Sequence, residues 1–389
     1  MDIETKLFPF FQPIIGSASG EIEGYEALAR RRDLKGDIKS AGELFCDPRI
    51  ADAQLIEWDR CVRKQALQRF SELTDKNCYL TINISAAWID YIVDFHNLPT
   101  LLMLDEFDID KNRIIIEITE TRGDLSNILK AVDMYRQQGL KVAIDDFGAG
   151  FSQLERVMAI QPDIIKLDMQ LFQSAVRGGV ASDVVHLLSR LAKRTGCRIV
   201  CEGVETNEDF LFGLSCGAQY MQGYLFSPAA SNFQDPKRYH SQVSALRDEF
   251  LVQALVKQEE KNKFIERIRA LVFYLQKKVV QSNFSIDNLP TELFENSGLL
   301  HFYVCDNQGN QITPNFNFAN HMWIVDNKQL GFNWAWRSYF YEVLSFPTNN
   351  IIVTSERYRD FSTDTLCKTF ALRLDENRVL LVDVMADWL

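Results

Sequence analysis

The segment Val142-Ala-Ile-Asp145-Asp146-Phe-Gly148-Ala-Gly150 ends an apolar run with two adjacent carboxylates and then a glycine-rich turn. An apolar β-branched run closed by glycine reads as a buried strand entering a loop. Buried carboxylates cost several kcal/mol unless something positive is held between them. The same pattern recurs through the first 230 residues. Polar residues close other apolar segments at Glu26, Asn83, Glu117, Lys166, Glu202 and Gln222. Converging carboxylates repel one another and raise their own pKa values unless cations sit among them. Two divalent ions about 4 Å apart would answer this, and such a pair is a common clamp for in-line attack at phosphorus.

Each residue also has a plain structural reading. Glu26 alone fits a surface carboxylate, and Asn83 fits a turn or helix cap. Lys166 could pair with Asp168, and the Glu202/Glu205 couple could cap a following helix. Their occurrence at successive strand ends favours the joint reading. The five histidines are scattered without ligand spacing, so a zinc site of the usual histidine/cysteine kind is not expected. An all-oxygen donor set points instead to magnesium or manganese.

Such a set requires elements that bring strand ends to one place. Eight apolar segments alternate with amphipathic ones: Phe8–Ile15, Ile22–Ala29, Tyr79–Ile84, Ile114–Thr119, Lys141–Ile144, Ile164–Leu167, Arg198–Cys201 and Tyr220–Phe226. Eight strands alternating with helices over some 230 residues predict an α/β fold, a TIM-like (βα)8 barrel whose active face lies at the strand C-termini. Only Gly16-Ser-Ala-Ser-Gly20 separates the first two segments, a hairpin-like turn, so one strand is expected to run antiparallel. From Lys237 to Leu289 there is neither glycine nor proline. A helix through this stretch would span roughly 70 to 80 Å, unless it bends at the polar centre Lys257–Lys263. It reads either as a solvated linker or as a dimer-forming signalling helix. Beyond residue 290, strands and turns resume as a small α+β module, with Asn333–Phe340 opening an aromatic helix. The expected domains are 1–236, 237–289 (the linker helix) and 290–389.

The net charge of −11 over 389 residues argues against duplex nucleic acid as a partner. No apolar run approaches the roughly 18 to 20 residues of a membrane span, and Met1-Asp-Ile-Glu-Thr-Lys does not read as a signal peptide. Eight cysteines without a CxxC pair read as reduced thiols, which predicts a cytoplasmic protein.

The motifs Tyr25-Glu26-Ala27-Leu28-Ala-Arg30, Asn83-Ile-Ser85, Glu117-Ile-Thr-Glu120, Asp145-Asp146-Phe-Gly-Ala-Gly150, Lys166-Leu-Asp168, Glu202-Gly-Val-Glu205 and Gln222-Gly-Tyr resemble those of the EAL-domain family. That family hydrolyses the bacterial second messenger cyclic di-GMP to linear pGpG. The remainder, with Trp336-Arg-Ser-Tyr-Phe340, resembles the PAS/Cache-like C-terminal module of YkuI-type EAL proteins. The resemblance implies a Mg2+ or Mn2+ two-metal site. Glu26, Asn83, Glu117 and Asp145 would hold one ion, and Asp145, Asp146 and Glu202 the other. It gives Glu202 the role of general base toward a metal-activated water, and Lys166 that of orienting this water. Gln12, Arg30 and Gln222 would contact cyclic di-GMP. Glu120 would steady the loop after Asp146, and Glu205 belongs to the same supporting set. It further implies a homodimer. The alternative is a catalytically silent receptor that signals by binding the dinucleotide. In the C-terminal module, Trp334, Trp336, Arg337, Tyr339, Tyr358 and Asp360 would either line a pocket for an unknown small molecule or fill a core.

Overall fold

The structure, a computed structural model, describes residues 7–33, 35–45, 47–118, 123–149, 153–282, 285–286 and 289–386. The chain forms two compact units, Met1–Leu251 and Val252–Leu389.

In the first unit nine strands appear in chain order: β1 (Leu7–Gly16), β2 (Ile22–Arg32), β3 (Ile38–Ser40), β4 (Tyr79–Ile84), β5 (Ile114–Ile118), β6 (Lys141–Phe147), β7 (Ile164–Leu167), β8 (Arg198–Cys201) and β9 (Tyr220–Met221). They order as β1-β9-β8-β7-β6-β5-β4-β2-β3, and β1 also pairs with β2, which closes eight of them into a barrel. Strand β1 runs antiparallel to both β2 and β9, while β2 and β4 through β9 are mutually parallel. The short Gly16–Gly20 turn imposes this, because five residues cannot make the crossover that a parallel neighbour needs.

Side chains alternate across a strand, so residues two apart share a face. Ile14, Ile115, Ala143, Ile164, Val200 and Tyr220 form a small buried cluster of their own. Two residues from each along its strand stand Gln12, Glu117, Asp145, Lys166, Glu202 and Gln222. Strand parity alone therefore places the polar set on the face of that apolar plug, one layer toward the strand C-termini (the N-terminal side for the reversed β1). The larger core lies between the strands and the surrounding helices.

Strand β9 is much shorter than the Tyr220–Phe226 segment read from hydropathy. A Cβ at Gly223 would fall 2.1 Å from the Val204 carbonyl oxygen. The chain therefore turns there, with Phe226 and Ser227 N–H donating to the Gly223 carbonyl.

The predicted helix spans His240–Gln281 without interruption. Val243 and Leu246 are buried in the barrel core. Phe264, Ile268, Leu271, Val272, Leu275 and Val279 are buried in the core of the second unit. Both ends thus belong to cores, Val243 and Leu246 in the first unit and Phe264 to Val279 in the second, while Leu251, Val252, Leu255 and Val256 between them are exposed.

The second unit carries a seven-stranded antiparallel sheet of β10 (Leu299–Asp306), β11 (Asn315–Ala319), β12 (Met322–Asp326), β13 (Ile352–Thr354), β14 (Tyr358–Arg359), β15 (Leu366–Arg373) and β16 (Arg378–Met385). The helix expected from Asn333 begins only at Ser338. Trp334 precedes it in a turn, where its indole N–H donates to Gln311 Oε1 at 3.0 Å. Trp334 and Tyr339 belong to a buried cluster, in keeping with a core role for these two aromatics, whereas Trp336 is 62% exposed.

Candidate active site

The C-terminal ends of the parallel strands surround one ammonium group. Lys166 on β7 is 1% exposed, and its Nζ lies 2.8 Å from Glu202 Oε1, 2.9 Å from Asp145 Oδ1, and 3.1 Å from both Glu26 Oε2 and Glu117 Oε1. These four carboxylates come from β2, β5, β6 and the end of β8. Asp168, the alternative partner, instead caps the next helix by accepting from Gln170 and Leu171 N–H.

Glu26 is further held by Asn83 Nδ2 at 2.8 Å and Gln222 Nε2 at 2.6 Å. Gln222 also reaches Gln12 Oε1 at 3.4 Å. Glu26, Asn83, Glu117, Asp145, Lys166, Glu202, Gln222 and Gln12 thus form one connected set. Most of them floor or line a cavity of about 730 Å³. Arg30 also lines it, with Nη1 donating to its neighbour's carbonyl and its guanidinium 5.9 Å from the Phe10 ring centre. Glu120 lies outside the described residues.

Asp146 follows the strand in left-handed backbone, with φ of +52°. That turn lets it share a site with its neighbour: one oxygen each of Asp145, Asp146 and Glu202 lie within 4.8 Å of one another, as do oxygens of Glu26, Glu117 and Asp145. Gly148 then takes φ of +117°, and a Cβ there would fall 2.4 Å from Leu171 Cδ2. The glycine is required by both conformation and space.

Burial dominates the acid–base properties. It pushes Glu117 well above the ordinary glutamate range against the pull of Lys166, and raises Glu202 to about 8 in the same way, assisted by Asp145 and Glu26. Asp145 is raised, and Asp146 is raised to about 6 by desolvation and by Asp145 beside it. Glu26 moves the other way. Burial pushes it up, but Lys166 and the amides of Gln222 and Asn83 outweigh that. Burial opposes the Lys166 charge, yet the surrounding carboxylates hold its pKa well above the usual lysine value. Both Glu117 oxygens and Asp145 Oδ1 are buried without an aligned hydrogen-bond donor. These oxygens belong to the two overlapping groups of three carboxylates, an all-oxygen arrangement that fits hard divalent cations.

Glu205 has an exposed side chain facing the cavity. Its loop is held by Asp209, which is 3% exposed and accepts from Glu205 N–H and Thr206 N–H, both at 2.9 Å, and from Gln173 Nε2 at 3.0 Å. Thr206 accepts in return from Asp209 N–H, completing a capping box. The signal in the sequence is Thr206-Asn-Glu-Asp209, a capping-box spacing with aspartate in place of glutamate.

The EAL domain profile matches residues 3–229, and that of an EAL-domain associated signalling protein domain matches residues 242–389. Over its whole length the chain is similar to YkuI of Bacillus subtilis, an uncharacterized EAL-domain containing protein, at 27% identity covering 100% of this chain and 97% of that protein. The crystal structure of YkuI in complex with substrate c-di-GMP and calcium matches with a TM-score of 0.86 at 25% identity, covering 98% of this chain and 97% of that one. The cyclic di-GMP phosphodiesterase PdeL of Escherichia coli is 27% identical over 225 residues. That match covers 57% of this chain and 61% of PdeL.

Proposed function

The chain belongs to the EAL-domain family, and on that premise we propose that its barrel binds cyclic di-GMP and hydrolyses one phosphodiester bond to release linear pGpG. The observation that carries this reading is the convergence of carboxylates from separate strands on Lys166 at the floor of the cavity. Ligand and activity in the relatives, YkuI with c-di-GMP and PdeL as a phosphodiesterase, support it. Glu26, Asn83, Glu117 and Asp145 would hold one Mg2+ or Mn2+ ion, and Asp145, Asp146 and Glu202 a second. Five carboxylates against one ammonium leave four negative charges, which two dications neutralise. When bound, such ions supply Lewis-acid activation of water and offset charge on the phosphoryl oxygens.

The remaining work falls to side chains. Glu202, ionised beside Lys166 and the bound ions, accepts the proton of the attacking water. Water oxygen bonds to phosphorus, the P–O3′ bond breaks, and the 3′ oxygen leaves as a hydroxyl after taking up a proton from solvent, while Glu202 returns its proton to solvent. Lys166 keeps its proton and directs N–H groups at the carboxylates that orient the water. Gln12 and Gln222 position the dinucleotide, and Arg30 is suited to a non-bridging phosphate oxygen. The second unit, which matches a signalling-associated domain, would regulate turnover in a homodimer. Among the described residues no helix is long and apolar enough to cross a membrane.

Incubating the pure full chain with cyclic di-GMP and Mg2+ or Mn2+ should yield pGpG. Glu202→Gln should lower kcat by about 100-fold or more while leaving dinucleotide binding within a few-fold. Binding without turnover by the intact protein would replace this reading with that of a silent receptor. Sedimentation analysis checks the homodimer, and turnover of the full chain against a barrel fragment checks regulation.

A further inference from the structure

The second unit buries a histidine and two aspartates that take no part in the barrel chemistry. His301 stands on β10, Asp383 on β16, and Asp360 just after β14. Sheet pairing sets His301 opposite Asp383, and Thr369 opposite Asp383 on the other side. The three are 0%, 1% and 6% exposed, in the order His301, Asp383, Asp360. His301 Nε2 lies 2.9 Å from Asp383 Oδ2 and 3.8 Å from Asp360 Oδ1.

The second oxygen of each carboxylate is already occupied. Asp383 Oδ1 accepts from Thr369 Oγ1 at 2.6 Å and from Tyr358 OH at 3.1 Å. Asp360 Oδ2 accepts from the backbone N–H and hydroxyl groups of both Ser362 and Thr363, at 2.6 to 3.0 Å. One oxygen of each aspartate is thereby left to face the imidazole. Neither His301 nitrogen makes an aligned hydrogen bond, although Nε2 is within 2.9 Å of an acceptor. A short approach without alignment is what two donors show when both are aimed at a third point. Among the described residues no lysine or arginine pairs with either aspartate, so a neutral imidazole would leave two buried negative charges uncompensated.

We propose that His301, Asp360 and Asp383 form a binding site for a transition-metal dication, with zinc the ion their donors suit best. Ligand atoms at about 2.1 Å around a tetrahedral zinc lie roughly 3.4 Å apart, and the two measured separations straddle that value. The imidazole nitrogen disfavours magnesium and calcium, which take oxygen donors. Thr369, Tyr358, Ser362 and Thr363 are the outer partners that fix the two carboxylates, as metal sites require. Three protein ligands leave a fourth position for water or a small anion. The metal would tie β10, β16 and the segment after β14 together.

The test uses the full chain carrying Glu117→Gln and Asp145→Asn, which disables the barrel's own donor set. After chelator treatment, this protein should take up one equivalent of Zn2+ in competition with a chromophoric chelator. X-ray absorption at the zinc edge should show only N/O ligands, with the outer-shell scattering of imidazole. Adding Asp360→Asn, which keeps an acceptor for Ser362 and Thr363, or His301→Ala should weaken uptake by about 100-fold or more, and Thr369→Val by about 10-fold to 100-fold. The imidazole signature decides the matter even if His301→Ala does not fold. No tight equivalent in the barrel-disabled chain, zinc without imidazole scattering, or affinity unchanged by Asp360→Asn would each overturn the proposal. None of these outcomes depends on whether the wild-type barrel hydrolyses cyclic di-GMP.

Discussion

Lys166 stands where charge balance matters most. Its ammonium is the cation that touches Glu26, Glu117, Asp145 and Glu202. Lys166→Met should therefore destabilise the chelator-treated protein by about 3–5 kcal/mol, the usual cost of breaking a buried pair. Added Mg2+ should recover part of the loss, and a melting temperature that barely moves would show that Lys166 is not the counter-ion. The pH dependence has a definite sign. Glu202 and Asp146 are raised to about 8 and about 6, so between their ordinary range and those values the folded chain binds more protons than the unfolded one. Stability must then fall as pH rises. His301, held above its ordinary value by Asp383 and Asp360 despite burial, acts in the same direction. Melting of metal-free protein followed from pH 5 to 8 should show a declining Tm, flattened by divalent metal. A rising Tm would contradict the assignment. At this scale most of the cluster was legible, because acidic residues closing apolar strands carry their own electrostatic cost. Asp209 carries a capping-box spacing from Thr206 that is readable in the sequence, but its further hold on Glu205 N–H and Gln173 is set by the fold of its loop. Of the group of His301, Asp360 and Asp383, only Asp360 stood out in the sequence, since sheet pairing brings His301 to Asp383 and the turn after β14 brings Asp360 to them.

The turn after β6 and the loop after β8 deliver the site to its geometry. Gly148→Ala faces both φ of +117° and Leu171 Cδ2 at 2.4 Å. Turnover should fall by at least 10-fold, with a loss of about 1–3 kcal/mol in stability. The double variant with Leu171→Ala, measured in the same assay, should recover only the steric part. Asp209→Ala removes the acceptor shared by Glu205 N–H, Thr206 N–H and Gln173. It should cost about 1–2 kcal/mol, and raise KM for the dinucleotide if Glu202 is carried along with its loop. Element boundaries were read well where hydropathy and termination coincide, as in Ile164–Leu167 and Arg198–Cys201. They were misread at Tyr220–Phe226, where an apolar run continues past a backbone contact that only glycine allows.

Across the whole molecule, the long helix contributes to both cores, so cutting the chain by its sequence rhythm would injure one of them. A fragment ending at residue 240 loses Val243 and Leu246, which are 0% and 4% exposed, and the contacts of Arg247 with the Ala18 carbonyl. It should melt well below one ending at residue 256, since each buried aliphatic side chain is worth about 1.5–3 kcal/mol. Calorimetry of the two fragments checks this. The architecture of the first unit was legible because eight apolar segments and one short turn leave few alternatives. The second unit offered fewer constraints, its sheet being assembled from distant strands. The closing seam of the barrel joins Ile15 to Met221 and Gly16 to Tyr220. During synthesis β1 can pair with β2 at once, but its other edge waits for a partner about 200 residues away. At ribosomal rates of about 5–20 residues per second that delay is roughly 10–40 s, with an apolar edge open to wrong neighbours throughout. Gln222, the last of the polar set to leave the ribosome, binds Glu26 from just beyond that seam. The polar set therefore cannot assemble until Gln222 has left the ribosome, and ring closure and assembly of the set fall together, while the second unit is still being made.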